Sequence, residues 1–108
     1  MTDHKDIEQA VIEKLSTVMD PETGRDVIRM GLIPEIKVDP SGSVKYTFRP
    51  SSPLCPLAVV LALNIIRAIA EIKGVSSQEI TVVDYIQADE LNGLLREEIR
   101  GMKKSGTE

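Results

Sequence analysis

The chain has 108 residues, 13 Lys+Arg against 17 Asp+Glu for a net charge of −4, three aromatic residues and one cysteine. Its length suits a single domain, 1–108, with enough core to fold without staples. The acidic balance and the shortage of stacking rings exclude generic nucleic-acid binding, and the lone Cys55 excludes an intrachain disulfide or a complete thiolate metal cage in one chain.

A single cysteine suits a reducing compartment. The polar, acidic start MTDHKDIEQAVIEKL has neither the apolar core of a signal peptide nor the basic character of a transit peptide, so a cytoplasmic location is expected. The most apolar stretch, Leu54 to Ile72, is interrupted by Pro56, Asn64, Arg67 and Glu71. A spanning helix needs roughly 20 nearly uninterrupted apolar residues, so no membrane role is expected.

Residues 4–19 are expected to be helical, because Ile7, Val11, Leu15 and Val18 recur on one stripe and Asp3 can cap the start. Residues 20–31, DPETGRDVIRMG, read as a loop with one helical turn, punctuated by Pro21, Gly24 and Gly31. So long a connection in a small domain is a place to look for function.

Residues 32–38 and 43–49 read as a hairpin around the turn Asp39-Pro40-Ser41-Gly42, with Pro34 marking an edge or a bulge. Residues 53–73 form the clearest helix, with Ser52 as cap, Pro53 at the first position and Gly74 at the end. Its first half is apolar nearly all round, which predicts burial by a sheet on one side and a helix or second subunit on another.

Residues 79–84 predict a third strand with Ile80 and Val82 inward. Residues 88–103 predict a last helix with Leu91, Leu94, Leu95, Ile99 and Met102 on one face, followed by a frayed tail. The order α-β-β-α-β-α gives an α+β two-layer sandwich. Strands 1 and 2 are antiparallel, strand 3 returns parallel after a helix, and the helices pack on one face of a small three-stranded mixed sheet.

Cys55 is the first candidate for chemistry, in Ser51-Ser52-Pro53-Leu54-Cys55-Pro56 at the head of the long helix. Free backbone amides and the helix dipole there favour a thiolate, which would serve as nucleophile or soft metal ligand. A small buried core residue accounts for the same position. Asp20 and Glu22, with rigid Pro21 between them, are suited to be hard ligands or bases, or Asp20 simply caps a turn. Asp26 reads as the cap of the turn that Gly31 ends. His4, the only histidine, sits in a polar terminus, and no P-loop, GxGxxG, HExxH or CxxC is present. Ser51 and Ser52 have no histidine partner for a hydrolase triad.

Taken in order, Val18-Met19-Asp20-Pro21-Glu22, then Asp26 with Met30-Gly31-Leu32-Ile33, then Ser51-Ser52-Pro53-Leu54-Cys55-Pro56 and Gly74-Val75 make a set. Over about residues 6–84 this set resembles the iron–sulfur assembly factors typified by SufT-like and PaaD-like proteins. The resemblance implies the same fold and a non-enzymatic role in maturing client metalloproteins. It implies Asp20, Glu22 and Cys55 as functional positions, with the DPE loop brought near Cys55. Two departures stand out. Ser51 replaces a common Thr, and Asp84-Tyr85-Ile86-Gln87-Ala88-Asp89 lacks the Pro-Trp segment that many relatives place after the third strand.

An iron–sulfur cluster typically takes four protein ligands. With Cys55 as one metal or cluster ligand, the others must come from a second subunit in a homodimer, from carboxylates, from a small thiol or from a client. The expected cargo is therefore a transiently held cluster or iron, and the expected partners are client apoproteins and other assembly factors. The competing reading is a metal-free interaction module in which Cys55 is structural.

Overall fold

The computed structural model describes residues 4–20, 23–52, 54 and 57–106. Helix α1 spans His4–Leu15, strands β1 and β2 span Glu35–Val38 and Ser43–Phe48, helix α2 spans Ala58–Ala70, strand β3 spans Ser77–Val82, and helix α3 spans Ala88–Gly106. The α+β order expected from the sequence is the order observed.

The sheet order is β1-β2-β3. β1 runs antiparallel to β2, with Glu35 opposite Thr47 and Val38 opposite Val44. β3 runs parallel to β2, from Ser43 opposite Ser77 to Phe48 opposite Val82. Val44, Tyr46, Phe48, Ile80 and Val82 are buried, while Lys45, Glu79 and Thr81 between them are exposed. That alternation puts all three helices on one face and leaves the other to solvent. Pro34 precedes β1, which is an edge strand.

Several element ends differ from the expectations, each for a local reason. α1 stops at Leu15 rather than 19, because the hydroxyls of Ser16 and Thr17 turn back to donate to the carbonyls of Ile12 and Lys14. Val18 stays buried beyond the helix end. Leu32 and Ile33 are buried but irregular, and β1 begins only at Glu35. β3 lies two residues earlier than expected, with Ile80 and Val82 inward as anticipated. α3 continues to Gly106, beyond the expected end at 103.

The hairpin turn is built by Asp39, whose Oδ1 accepts from the Ser41 amide, the Ser41 hydroxyl and the Ser43 amide at 3.0, 2.6 and 3.0 Å. Gly42 closes it at φ +90°. A side chain there would run into the Gly74 carbonyl, and Gly42 O accepts from Ser76 N at 3.0 Å. This close approach packs the hairpin tip on the connection between α2 and β3. Inside, the Tyr46 hydroxyl donates to Gln78 Oε1 at 2.8 Å, and Gln78 Nε2 donates to Ile66 O at 3.0 Å, tying β2 and β3 to α2. Burial pushes the Tyr46 phenol well above its usual value.

α2 buries Ala58, Leu61, Ala62, Ile65, Ile66, Ala68 and Ile69, packing against α1, α3 and β3. Val59 and Val60 in its first turn remain 40% and 49% exposed, so the all-round burial expected there is not reached. Among the described side chains of α3, Leu91 and Leu95 are the buried ones. Leu94 is 64% exposed, because a stripe at spacings of four (91, 95, 99) already fills the narrow contact with β3. Among the described residues, no helix is long and apolar enough to cross a membrane.

Candidate functional site

The loop after α1 folds on itself. Asp20 N donates to Arg25 O at 2.9 Å, Gly24 N donates to Asp20 O at 2.8 Å, and Val27 N donates to Val18 O at 3.0 Å. Met19 and Asp26 form an antiparallel bridge, and Gly24 takes φ +71°. The chain thus turns back on itself between Val18 and Val27, and Pro21 and Glu22 belong to this stretch of sequence. Those two lie outside the described residues.

Asp20 is 4% exposed and is the one buried charged residue among those described. Removing a carboxylate from water is costly unless the site compensates it. An exposed turn cap would not need such burial, so position 20 is a built feature of the core. Asp26 behaves as expected: its Oδ2 accepts from Arg29 N at 3.0 Å and its carbonyl accepts from Met30 N, holding the turn that Gly31 ends at φ +73°.

The second candidate segment leaves β2. Arg49 N donates to Leu32 O at 2.8 Å, joining the end of the Asp20 loop to the start of the Cys55 segment. Pro50 is buried, and Ser51, Ser52 and Leu54 are exposed. The expected helix start is corrected here. Ser52 Oγ accepts from Leu54 N, two residues on, at 3.2 Å. Regular α2 begins at Ala58 after Leu57, with no side-chain cap. Regular α2 thus starts three positions after Cys55 in the sequence. Pro53, Cys55 and Pro56 themselves lie outside the described residues.

Sequence reasoning missed a groove of about 710 Å³ beside this segment. Arg49, Pro50, Ser51 and Leu54 line it from the β2 side, and Asp84, Tyr85 and Ile86 from the connection between β3 and α3. Its position follows from topology. β2 and β3 are parallel, so their C-terminal ends lie side by side, the usual place for a crevice. Arg49 Nε and Asp84 Oδ2 are 3.1 Å apart across the junction. Six large apolar side chains are exposed among the described residues. Met19 and Leu54 are sequence neighbours of a candidate position, and Leu54 and Ile86 line the groove. Among the described residues, no three His, Cys, Asp or Glu side chains converge to hold a metal ion.

The family described as iron-sulfur cluster assembly protein matches residues 8–82. This chain belongs to that family. The matched span encloses Asp20, Glu22 and Cys55 and ends on the last residue of β3, so α3 lies beyond it.

An uncharacterized protein of Methanocaldococcus jannaschii is 33% identical over 87 residues, 81% of this chain and 92% of its own. An iron-sulfur cluster carrier protein of Mycobacterium leprae is 28% identical over 96 residues, 89% of this chain but only 24% of the carrier. The Fe-S protein maturation auxiliary factor YitW of Bacillus subtilis is 29% identical over 77 residues, 71% of this chain and 76% of the factor. In structure, a conserved hypothetical protein of Thermotoga maritima superposes with a TM-score of 0.62 at 31% identity, covering 84% of this chain and 91% of the other.

Proposed function

We propose that this protein is an auxiliary factor of iron–sulfur cluster assembly that passes iron or a cluster to client apoproteins, with Cys55 as a transient ligand and Asp20 and Glu22 as its companion carboxylates. The observation that carries this reading is the family match over residues 8–82, which spans both motif segments. The names of the Mycobacterium leprae carrier and the Bacillus subtilis maturation factor support the same role. The buried Asp20 and the Arg49–Leu32 link between the two segments agree with a shared site.

One thiolate per chain suits hand-over better than storage, since a cluster typically needs four ligands. In the transfer step a client thiol forms a new sulfur–iron bond as the Cys55 sulfur–iron bond breaks. The proton of the incoming thiol ends on the departing Cys55, with a carboxylate at 20 or 22 as relay. No electron changes hands. The remaining ligands come from the client, a small thiol or a second copy of the chain. A thiol that must stay reduced supports a cytoplasmic location.

The test is client maturation with Cys55→Ser. The variant should fold as wild type and fail to support maturation; maturation at the wild-type level would overturn the thiol role. The exposed Leu54, Val59 and Val60 favour a second reading, a metal-free docking module. A Cys55 inert to thiol reagents at pH 7, with no iron bound on anaerobic reconstitution, would select it.

A further inference from the structure

The two edges of the sheet are treated differently. On the outer side of β3 the Asn92 side chain bonds both the amide and the carbonyl of Val82, so α3 covers that edge. On the outer side of β1 no described residue does the same. Asp39 N donates to Ser43 O at 3.1 Å, which fixes the phase of the β1–β2 ladder. By alternation Glu35 and Lys37 turn their peptide groups toward β2, while Ile36 and Val38 turn theirs outward. Among the described residues, no hydrogen bond reaches those outward groups.

The side chains of β1 select an occupant for this edge. Ile36 and Val38 are half-buried against the core, and Glu35 and Lys37 stand exposed on the open face of the sheet. Lys37 lies directly opposite Lys45 of β2, and like charges so placed repel. Lys45 has Glu79 of β3 on its other side. The outer side of Lys37 calls for a carboxylate in the same way.

We propose that β1 pairs with β1 of a second copy of this chain, antiparallel about a two-fold axis through Ile36, to make one continuous six-stranded sheet. In this register the two Ile36 residues exchange both backbone bonds. Glu35 of each copy faces Lys37 of the other, and each Val38 amide donates to a Pro34 carbonyl. The other two-fold registers are worse. An axis through Lys37 sets lysine against lysine. An axis through Val38 carries the pairing into Pro40 and onto Asp39, whose carboxylate already holds the turn. Lysine on an edge strand ordinarily discourages pairing, but self-pairing here meets each one with a glutamate. The contact is isologous, so it closes at two copies. Its ladder is short, so the dimer is weak and concentration-dependent. The inference is independent of what Cys55 holds.

The test is sedimentation of the full chain at low salt, from micromolar to about 1 mM, the range in which weak association is read. Wild type should pass from monomer to dimer, and the Ile36 and Val38 amides should gain protection from hydrogen exchange along with it. Glu35→Lys and Lys37→Glu each turn two opposite-charge pairs into like-charge pairs, so each should weaken the dimer by about tenfold or more. Both positions are exposed, so Tm should hold. The double swap Glu35→Lys/Lys37→Glu should restore the dimer, and an equimolar mixture of the two single variants should form a heterodimer. A chain that stays monomeric throughout would overturn the proposal. So would a dimer that both single variants keep, since it would use another face. Edge amides that become protected only on addition of an apo-client would assign the edge to the client and overturn self-pairing.

Discussion

Asn92 acts as a surrogate strand for Val82. Its Oδ1 accepts from Val82 N at 2.7 Å and its Nδ2 donates to Val82 O at 3.2 Å. β3 is the outer strand of the sheet, and Val83 N already faces β2 through Phe48 O, so by alternation Val82 presents its amide and carbonyl outward. A carboxamide offers the same donor and acceptor as a peptide group. With Leu91 and Leu95 buried on either side, α3 closes the edge that would otherwise invite another strand.

Replacing Asn92 with Leu should therefore cost about 1–3 kcal/mol, because two partly buried backbone groups lose their partners. Urea denaturation measures this, and hydrogen exchange should show the Val82 amide losing protection before the rest of β3.

The hairpin tip gives a paired test. Gly42→Ala meets both a left-handed backbone and the Gly74 carbonyl, whereas Gly24→Ala meets only the backbone penalty, with open space around it. Gly24→Ala should cost about 1–2 kcal/mol, and Gly42→Ala clearly more. Equal losses in thermal unfolding would mean that the hairpin tip and the α2–β3 connection do not pack as described.

Two groups set pH limits. Burial raises the Tyr46 phenol, so its stabilising effect is complete below the unfolded value near 10 and declines above it, as the unfolded chain ionises first. Tyr46→Phe should flatten that alkaline limb and lose about 1 kcal/mol at neutral pH with its bond to Gln78. The Asp39 carboxyl is held below its ordinary value, first by the Ser41 hydroxyl and then by the Ser43 amide. Its contribution is present above the unfolded value and fades as pH falls through the lowered one. Asp39→Ala should make stability less sensitive to acid, as read from unfolding midpoints between pH 5 and pH 2.

Much of the architecture was legible, because a small core leaves strong periodic marks: Ile7, Val11 and Leu15 on α1, Val44, Tyr46 and Phe48 on β2, Ile80 and Val82 on β3. The errors fell at the ends of elements. Ser52 looked like the cap of α2, yet α2 starts at Ala58 after Leu57 with no side-chain cap, and the Ser52–Leu54 bond lies ahead of it. Ser16 and Thr17 end α1 by donating back to Ile12 and Lys14. The role of Asn92 and the Arg49–Asp84 pair leave no local pattern at all, because each joins residues that only the parallel β2–β3 topology brings together. Asp20 was legible as a candidate, but its burial depends on the 18–27 turn-back, which a pattern of carboxylates and a proline does not predict.

Asp20→Asn separates structure from function at that position. The amide keeps the shape, so the stability change should be about 1–2 kcal/mol. On the proposed reading, transfer to a client should fall by about tenfold or more, the scale of losing a supporting group at a metal site. A variant that transfers normally would remove Asp20 from the site and leave it a structural residue.

The central claim is that Cys55 holds cargo in passing. Its most direct test is anaerobic reconstitution with iron and sulfide, followed by absorbance, mass and transfer to an apo-client, on wild type and Cys55→Ser side by side. The account predicts that wild type gains iron–sulfur absorbance and passes it on, while Cys55→Ser, equally folded, does neither. A Cys55→Ser protein that loads and transfers at the wild-type rate would contradict it.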